Sequence, residues 1–222
     1  MPTEKGERGH VAINLRHDNL TPVPVRHANI GIDQRVTKSH ILATRFHAKR
    51  IHVVTIGVLF VCTANICRSP MAEGAFRSMA RRAGLDSAFA IDSAGTFDGH
   101  VGEPPTLRAV IAASRRGYAI GALRARQVVP ADIARFDYVL AMDRCHLVDL
   151  QWMAPRALIG RLHLFTSFDS RCRSVDVADP YGGDARDFEG ALDVIEAGCE
   201  ALLKALTPLA ERAASRVDRV LL

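Results

Sequence analysis

A chain of 222 residues, 48% hydrophobic and 24% charged, can bury one sizeable core and is ordinary in composition for a globular protein. Its five cysteines are odd in number and widely spread, which excludes a disulfide framework, and neither a bilayer-length apolar run nor a signal peptide is legible. The net charge of +5 resides in the first fifty residues, where nine Lys/Arg face four Asp/Glu; residues 51–222 carry twenty of each.

Residues 1–52 hold six of the nine histidines, two proline turns at Pro22 and Pro24, and no sustained helical or alternating period. They read as a disordered, basic extension ahead of a domain at 53–222. Three readings stay open for it: a solvated tail, a start site set too early (no methionine lies between Met1 and Met71), or a basic arm for an anionic partner. From Ile56 onward the elements alternate. A strand through Val58 to Val61 precedes a helix from Pro70 to about Ala83, stopped by Gly84. A second strand is expected near Ala88 to Asp92, a helix from about Pro105 to Arg116, and a third strand over Tyr138 to Met142. Asp143 can cap a helix running to about Met153, and Arg161 to Phe165 reads as a fourth strand. A long loop, Thr166 to Asp187, leads to a helix from Phe188 to Leu206 that Pro208 is expected to end. The charged tail Leu209 to Leu222 has helical propensity and no assigned role. Strands alternating with helices imply an α/β fold in three layers, a four-stranded parallel sheet with helices on both faces. Ligands of such sheets bind beyond the carboxyl ends of the strands.

The stretch Gly57 to Glu73, GVLFVCTANICRSPMAE, carries the chemistry. A strand ends in Cys62, turns through Thr63, Ala64, Asn65, Ile66, Cys67 and Arg68, and enters a helix for which Ser69 is the expected N-cap and Pro70 the first residue. A loop wrapped ahead of a helix N-terminus points backbone N–H groups into one concavity, where the helix dipole adds positive character. A phosphate-sized anion fits there, with two oxygens gripped by the planar fork of Arg68. The same donors favour a thiolate at Cys62, the form that attacks phosphorus. The bland alternative, a small buried apolar cysteine, accounts for Cys62 alone but not for Arg68, Ser69 and Pro70 at these spacings.

CTANICRSP resembles the signature of the low-molecular-weight protein tyrosine phosphatases: a Cys, five residues, then Arg-Ser-Pro. The likeness runs to roughly residue 206 through Ser93-Ala94-Gly95-Thr96, Arg124-Ala125-Arg126-Gln127, Phe136 to Asp143, and Asp179-Pro180-Tyr181-Gly182-Gly183, all in the family's order. It implies a flavodoxin-like strand order and hydrolysis of phosphotyrosine through a phosphocysteine intermediate. Cys62 would be the nucleophile, Arg68 the phosphate grip and Asp179 the proton donor and later base. Thr63, Ala64, Asn65, Ile66, Cys67 and Ser69 would form the binding loop, with Ser69 also donating to the thiolate; Tyr181 would wall the cleft and Ser93 support Asn65. Cys67 in such proteins can pair with the oxidised nucleophile; a small buried residue is the competing reading. The implied partner is a phosphotyrosine-bearing protein, a bacterial tyrosine kinase among the candidates, with no nucleic acid, membrane, metal or cofactor, for a cytoplasmic monomer. Three positions depart from the family's pattern. Ala64 replaces a frequent Gly; Gly99 stands where many members carry Trp or Tyr, with Phe97 two residues away as the substitute; Leu123 stands where some carry a histidine that helps hold Asn65.

Three rival readings share parts of this pattern. Arsenate reductases of the same fold need two further neighbouring cysteines, whereas Cys145, Cys172 and Cys199 are evenly spread. Protein-arginine phosphatases of the family typically carry Thr where this chain has Ile66. A catalytically silent phospho-ligand binding module would not need nucleophile, arginine and acid together.

Overall fold

The computed structural model describes residues 55–172 and 175–221, with side chains to Arg212. The reading of residues 1–52 as a disordered extension, and the boundary at residue 53, lie outside the described residues.

The chain alternates β1 (Ile56–Cys62), α1 (Arg68–Arg82), β2 (Phe89–Gly95), α2 (Leu107–Arg115), α3 (Pro130–Arg135), β3 (Tyr138–Ala141), α4 (Arg144–Met153), β4 (Leu162–Leu164) and α5 (Ala185–Leu221). All four strands are parallel, in the order β2-β1-β3-β4. This is the flavodoxin-like order expected from the resemblance. The central strand β1 is buried along its whole length, as a parallel strand covered on both faces must be. Its side chains alternate between two cores. Val58 and Phe60 pack with Met71 and Phe76 of α1 and Leu192 and Ile195 of α5. Leu59 and Val61 pack on the other face with Ile133 of α3 and Leu150 of α4. The ring of Phe60 meets both Phe76 and Phe165 edge-on, with centroids 5.8 Å apart in each pair.

Several boundaries differ from the sequence reading. Helix α1 starts at Arg68, so Ser69 is not its N-cap and Pro70 is not its first residue. The Ser69 hydroxyl is turned inward to Cys62 and the Ala94 carbonyl, partners that only the folded sheet supplies. Thr106 caps α2 by accepting from Ala109 N, and Asp143 caps α4 by accepting from His146 N, as expected for Asp143. The short helix α3 has no counterpart in the sequence reading. Pro208 does not end α5, which runs on to Leu221, and the segment read as a separate tail is its last part. Proline removes one hydrogen bond from a helix interior, but Leu206 and Ala210 on either side are both buried in the main core. That packing outweighs the missing bond.

Candidate active site

The carboxyl end of β1 delivers Cys62, and the loop Thr63–Cys67 carries the chain from there into α1. The loop makes its backbone hydrogen bonds through its carbonyls: Cys62 O accepts from Thr96 N, Thr63 O from Phe97 N and Ile66 O from Thr106 N. Its amides are thereby left for the concave side, ahead of the first turn of α1. Asn65 holds the sharpest bend with a φ of 57°, in the left-handed region that asparagine tolerates. Gly95 of β2 lies opposite Cys62 in the sheet, and a Cβ there would come within 2.6 Å of Thr63 O. Glycine at 95 is what lets the loop approach the sheet.

Behind the loop a run of buried hydrogen bonds has a fixed direction. Asn65 Nδ2 donates to Ser69 Oγ and to Ser93 Oγ, each at 2.9 Å, and Asn65 Oδ1 accepts from Arg126 N at 3.0 Å. Ser93, accepting from Asn65, gives its own proton to Glu73 Oε2 at 2.6 Å. The other oxygen of Glu73 accepts from Arg77 at 2.7 Å. Ser69, also accepting from Asn65, has one proton and two acceptors within reach of it, Ala94 O at 3.2 Å and Cys62 Sγ at 3.0 Å. Asn65, Ser69 and Ser93 thus stand behind the loop and brace it, while Thr63, Ala64, Ile66 and Cys67 line the cleft itself.

Arg68 is 3% exposed and ringed by acceptors. Its Nη1 donates to Asp143 Oδ2 at 2.9 Å and to Val177 O at 3.2 Å; its Nη2 donates to Asp179 Oδ2 at 2.7 Å and to Thr63 Oγ1 at 3.2 Å. Its Nε is buried with no hydrogen-bond partner among the described residues. Thr63 Oγ1 also meets His146 Nε2 at 2.9 Å, and His146 Nδ1 lies 2.9 Å from Asp143 Oδ1 as a close charge contact outside hydrogen-bond alignment. Burial holds His146 below the ordinary histidine range, against the pull of Asp143. A neutral imidazole accepting from Thr63 fits both observations. Cys67 is likewise buried, which pushes its thiol up to about 11 against a hydrogen bond with Thr106. Cys62, Cys67, Cys145 and Cys199 are free thiols.

The cleft over Cys62 and Arg68 encloses about 210 Å³ and is walled by Phe97, His100, Asp179 and Tyr181. The His100 ring meets Phe97 and Tyr181 edge-on, with centroids 6.3 and 6.5 Å away. Phe97 does take the place of the aromatic wall missing at Gly99: a Cβ on Gly99 would collide with the Phe97 ring. No group of three His, Cys, Asp or Glu side chains among the described residues is placed to hold a metal ion.

The model of the family described as low molecular weight phosphotyrosine protein phosphatase matches residues 57–212. The chain belongs to that family. It is 38% identical over 151 residues to the low molecular weight protein-tyrosine-phosphatase YfkJ of Bacillus subtilis, covering 68% of this chain and 96% of that one. The human low molecular weight phosphotyrosine protein phosphatase is 35% identical over 152 residues, covering 68% and 95%. Among solved structures, a protein tyrosine phosphatase from Entamoeba histolytica superposes with a TM-score of 0.67 at 32% identity, covering 69% of this chain and 98% of that one.

The sequence reading of this phosphatase missed four residues that the fold brings to the site. Glu73 and Arg77 lie one and two helical turns beyond the signature and look like ordinary surface charges of α1. His146 reads as a lone histidine, and His100 carried no assigned role. Only Glu73 gave a signal: it lies on the face of α1 shared with Ser69, Ala72 and Phe76, where a charge needs a buried partner.

Proposed function

We propose that the chain hydrolyses phosphotyrosine in proteins through a phosphocysteine intermediate on Cys62. The observation that carries this is the convergence of Cys62, Arg68 and Asp179 on one aromatic-walled cleft, with the Ser69 hydroxyl 3.0 Å from the cysteine sulfur. The phosphate oxygens take the loop amides and the Arg68 fork, displacing Asp179 from Nη2, while Asp143 and Val177 O keep the guanidinium plane in place. The Cys62 thiolate attacks phosphorus as the bond to the phenolic oxygen breaks, and protonated Asp179 gives its proton to that oxygen. Asp179 then takes a proton from water, which attacks phosphorus and expels the Cys62 thiolate with inorganic phosphate as product. Ser69 stabilises the departing thiolate. Phe97, His100 and Tyr181 give a flat ring three surfaces to lie against.

The free thiols of Cys62, Cys67, Cys145 and Cys199 suit a reducing compartment, which supports a cytoplasmic location, and no helix among the described residues is long and apolar enough to cross a membrane. A tyrosine kinase carrying phosphotyrosine is a substrate of the right chemistry. The experiment is rapid acid quenching during turnover of a phosphotyrosyl peptide, followed by mass spectrometry. A phosphoryl adduct on Cys62 in the wild type, together with no adduct and no turnover in Cys62→Ser, is the expected result. Turnover by Cys62→Ser above a buffer blank overturns the mechanism.

A further inference from the structure

A second concavity opens beside the catalytic cleft, and Tyr181 stands between them as a wall of both. This groove encloses about 520 Å³ and is lined by Thr106, Leu107 and Arg108 at the start of α2, by Tyr181 and Gly182, and by Phe188 of α5. Its floor is Phe188, 2% exposed, and its rim is Leu107, 73% exposed, and Tyr181, 63% exposed. On the catalytic side of Tyr181 the cleft wall carries Phe97, also more than half exposed. Large apolar side chains gathered around one opening mark a surface that a partner covers, whereas single exposed ones are ordinary.

The groove is also built to keep its shape. Arg108 Nη1 donates to Gly183 O at 2.8 Å and ties the Asp179–Gly183 segment to α2. Within that segment Tyr181 N donates to Asp179 Oδ1 and Gly183 N to Pro180 O. The wall carrying Tyr181 is therefore anchored on both sides, and less ordering remains to be done when a ligand arrives.

We propose that this groove receives a bulky apolar side chain that flanks the phosphotyrosine in the substrate protein. The proposal rests on the phosphotyrosine reading above and assigns the specificity of that same site. A phosphotyrosine whose ring lies against Tyr181 brings its neighbouring residues over the other face of Tyr181, directly above Leu107 and Phe188. An aliphatic or aromatic neighbour leaves water there, and a small polar one gains nothing.

The test uses the full chain and matched phosphotyrosyl peptides carrying Leu, Ser or Glu at each of the two positions on either side of the phosphotyrosine. Each kcat/KM is divided by the same variant's value on para-nitrophenyl phosphate, which fills the catalytic cleft alone. In the wild type, Leu at one position is expected to beat Ser by roughly tenfold, the usual worth of one apolar pocket. Leu107→Ser removes that preference and Leu107→Phe keeps it; both change an exposed side chain and leave the core intact. No position that discriminates Leu from Ser overturns the proposal. So does a preference that survives in Leu107→Ser, or one for Glu over Leu, which would assign the groove to Arg108. A wild type that forms no Cys62 adduct with any peptide fails the phosphotyrosine reading instead, and the two failures are thereby distinct.

Discussion

Asp179 and Asp143 are the two carboxylates on Arg68, and their surroundings divide the work between them. Asp143 accepts from the α4 backbone with one oxygen and from Arg68 with the other, and its side chain is 20% exposed. Asp179 is 46% exposed, faces the cleft and accepts from Arg68 Nη2 and from the Tyr181 amide. A carboxylate that must take and return a proton needs an open position facing the leaving oxygen, which fits Asp179 and not the more enclosed Asp143. Asp179→Asn is expected to lower kcat on a phosphotyrosyl peptide by about 100- to 10,000-fold, the usual range of general acid catalysis. A nitro-activated aryl phosphate, whose leaving group departs almost unaided, loses much less. Steady-state rates over a series of substituted phenols check this; a uniform loss across the series would move the acid elsewhere.

Helix α1 and strand β2 are coupled to Cys62 by the buried Glu73–Ser93–Asn65–Ser69 run. Leu123 stands where some relatives have a histidine that helps hold Asn65, and here Arg126 N and the two serines satisfy that side chain. Arg77 reaches from α1 to Ile91 O on β2 as well as to Glu73, so one guanidinium closes the seam. Removing the carboxylate strands the Ser93 proton and loosens Asn65 in its left-handed bend. Glu73→Ala is expected to cost about 1–3 kcal/mol of stability, the usual penalty for an unsatisfied buried polar group. It should also lower kcat by roughly tenfold, as Ser69 loses its alignment on Cys62. Glu73→Gln, which keeps an acceptor oxygen, recovers most of both. Thermal melts and steady-state kinetics on the two variants decide it, and an unchanged kcat in Glu73→Ala would uncouple the seam from the site.

For the whole molecule, acid sensitivity is set by burial. His146 and His163 are both held below the ordinary histidine range, burial being the first cause in each. The unfolded chain therefore takes up their protons first as pH falls, and binds more protons than the native state in that window. Their contribution to stability is complete above the ordinary histidine value of about 6.5 and is lost as pH falls through it. Asp169 and Asp176 are shifted down by Arg171 and Arg144, so their contributions persist to lower pH and are lost only below the ordinary carboxylate range. The melting temperature is expected to fall from pH 7.5 to pH 5. His163→Phe, which keeps a ring packed against Tyr138 and Phe168, should flatten part of that slope. A slope identical in the variant would exclude His163 from the effect.

The alternation of strand and helix, and with it the parallel sheet, was legible because each element carries its own local signal: a short β-branched run, a glycine stop, an Asp cap. Cys62, Arg68 and Asp179 were legible for a different reason, since a strand–loop–helix turn generates the anion site from neighbours in sequence, and the resemblance supplied the distant acid. The starts and ends that misled are those where tertiary contacts overrule local preference. Ser69 left the cap role because a cysteine and a carbonyl lay within its reach, and Pro208 did not stop α5 because buried residues on either side of it hold the helix on the core. Glu73, Arg77 and His146 could not be assigned from the chain alone, since Ser93, Ile91 and Thr63 lie 20, 14 and 83 residues away and meet them only when β1, β2 and α4 are assembled, and His100 meets Tyr181 only in the folded cleft. The sequence by itself singled out Cys62, Arg68 and Asp179, which the fold gathers in one cleft. Only the tertiary structure decided what holds them in place, because a hydrogen bond between distant residues leaves no periodicity for a sequence to show.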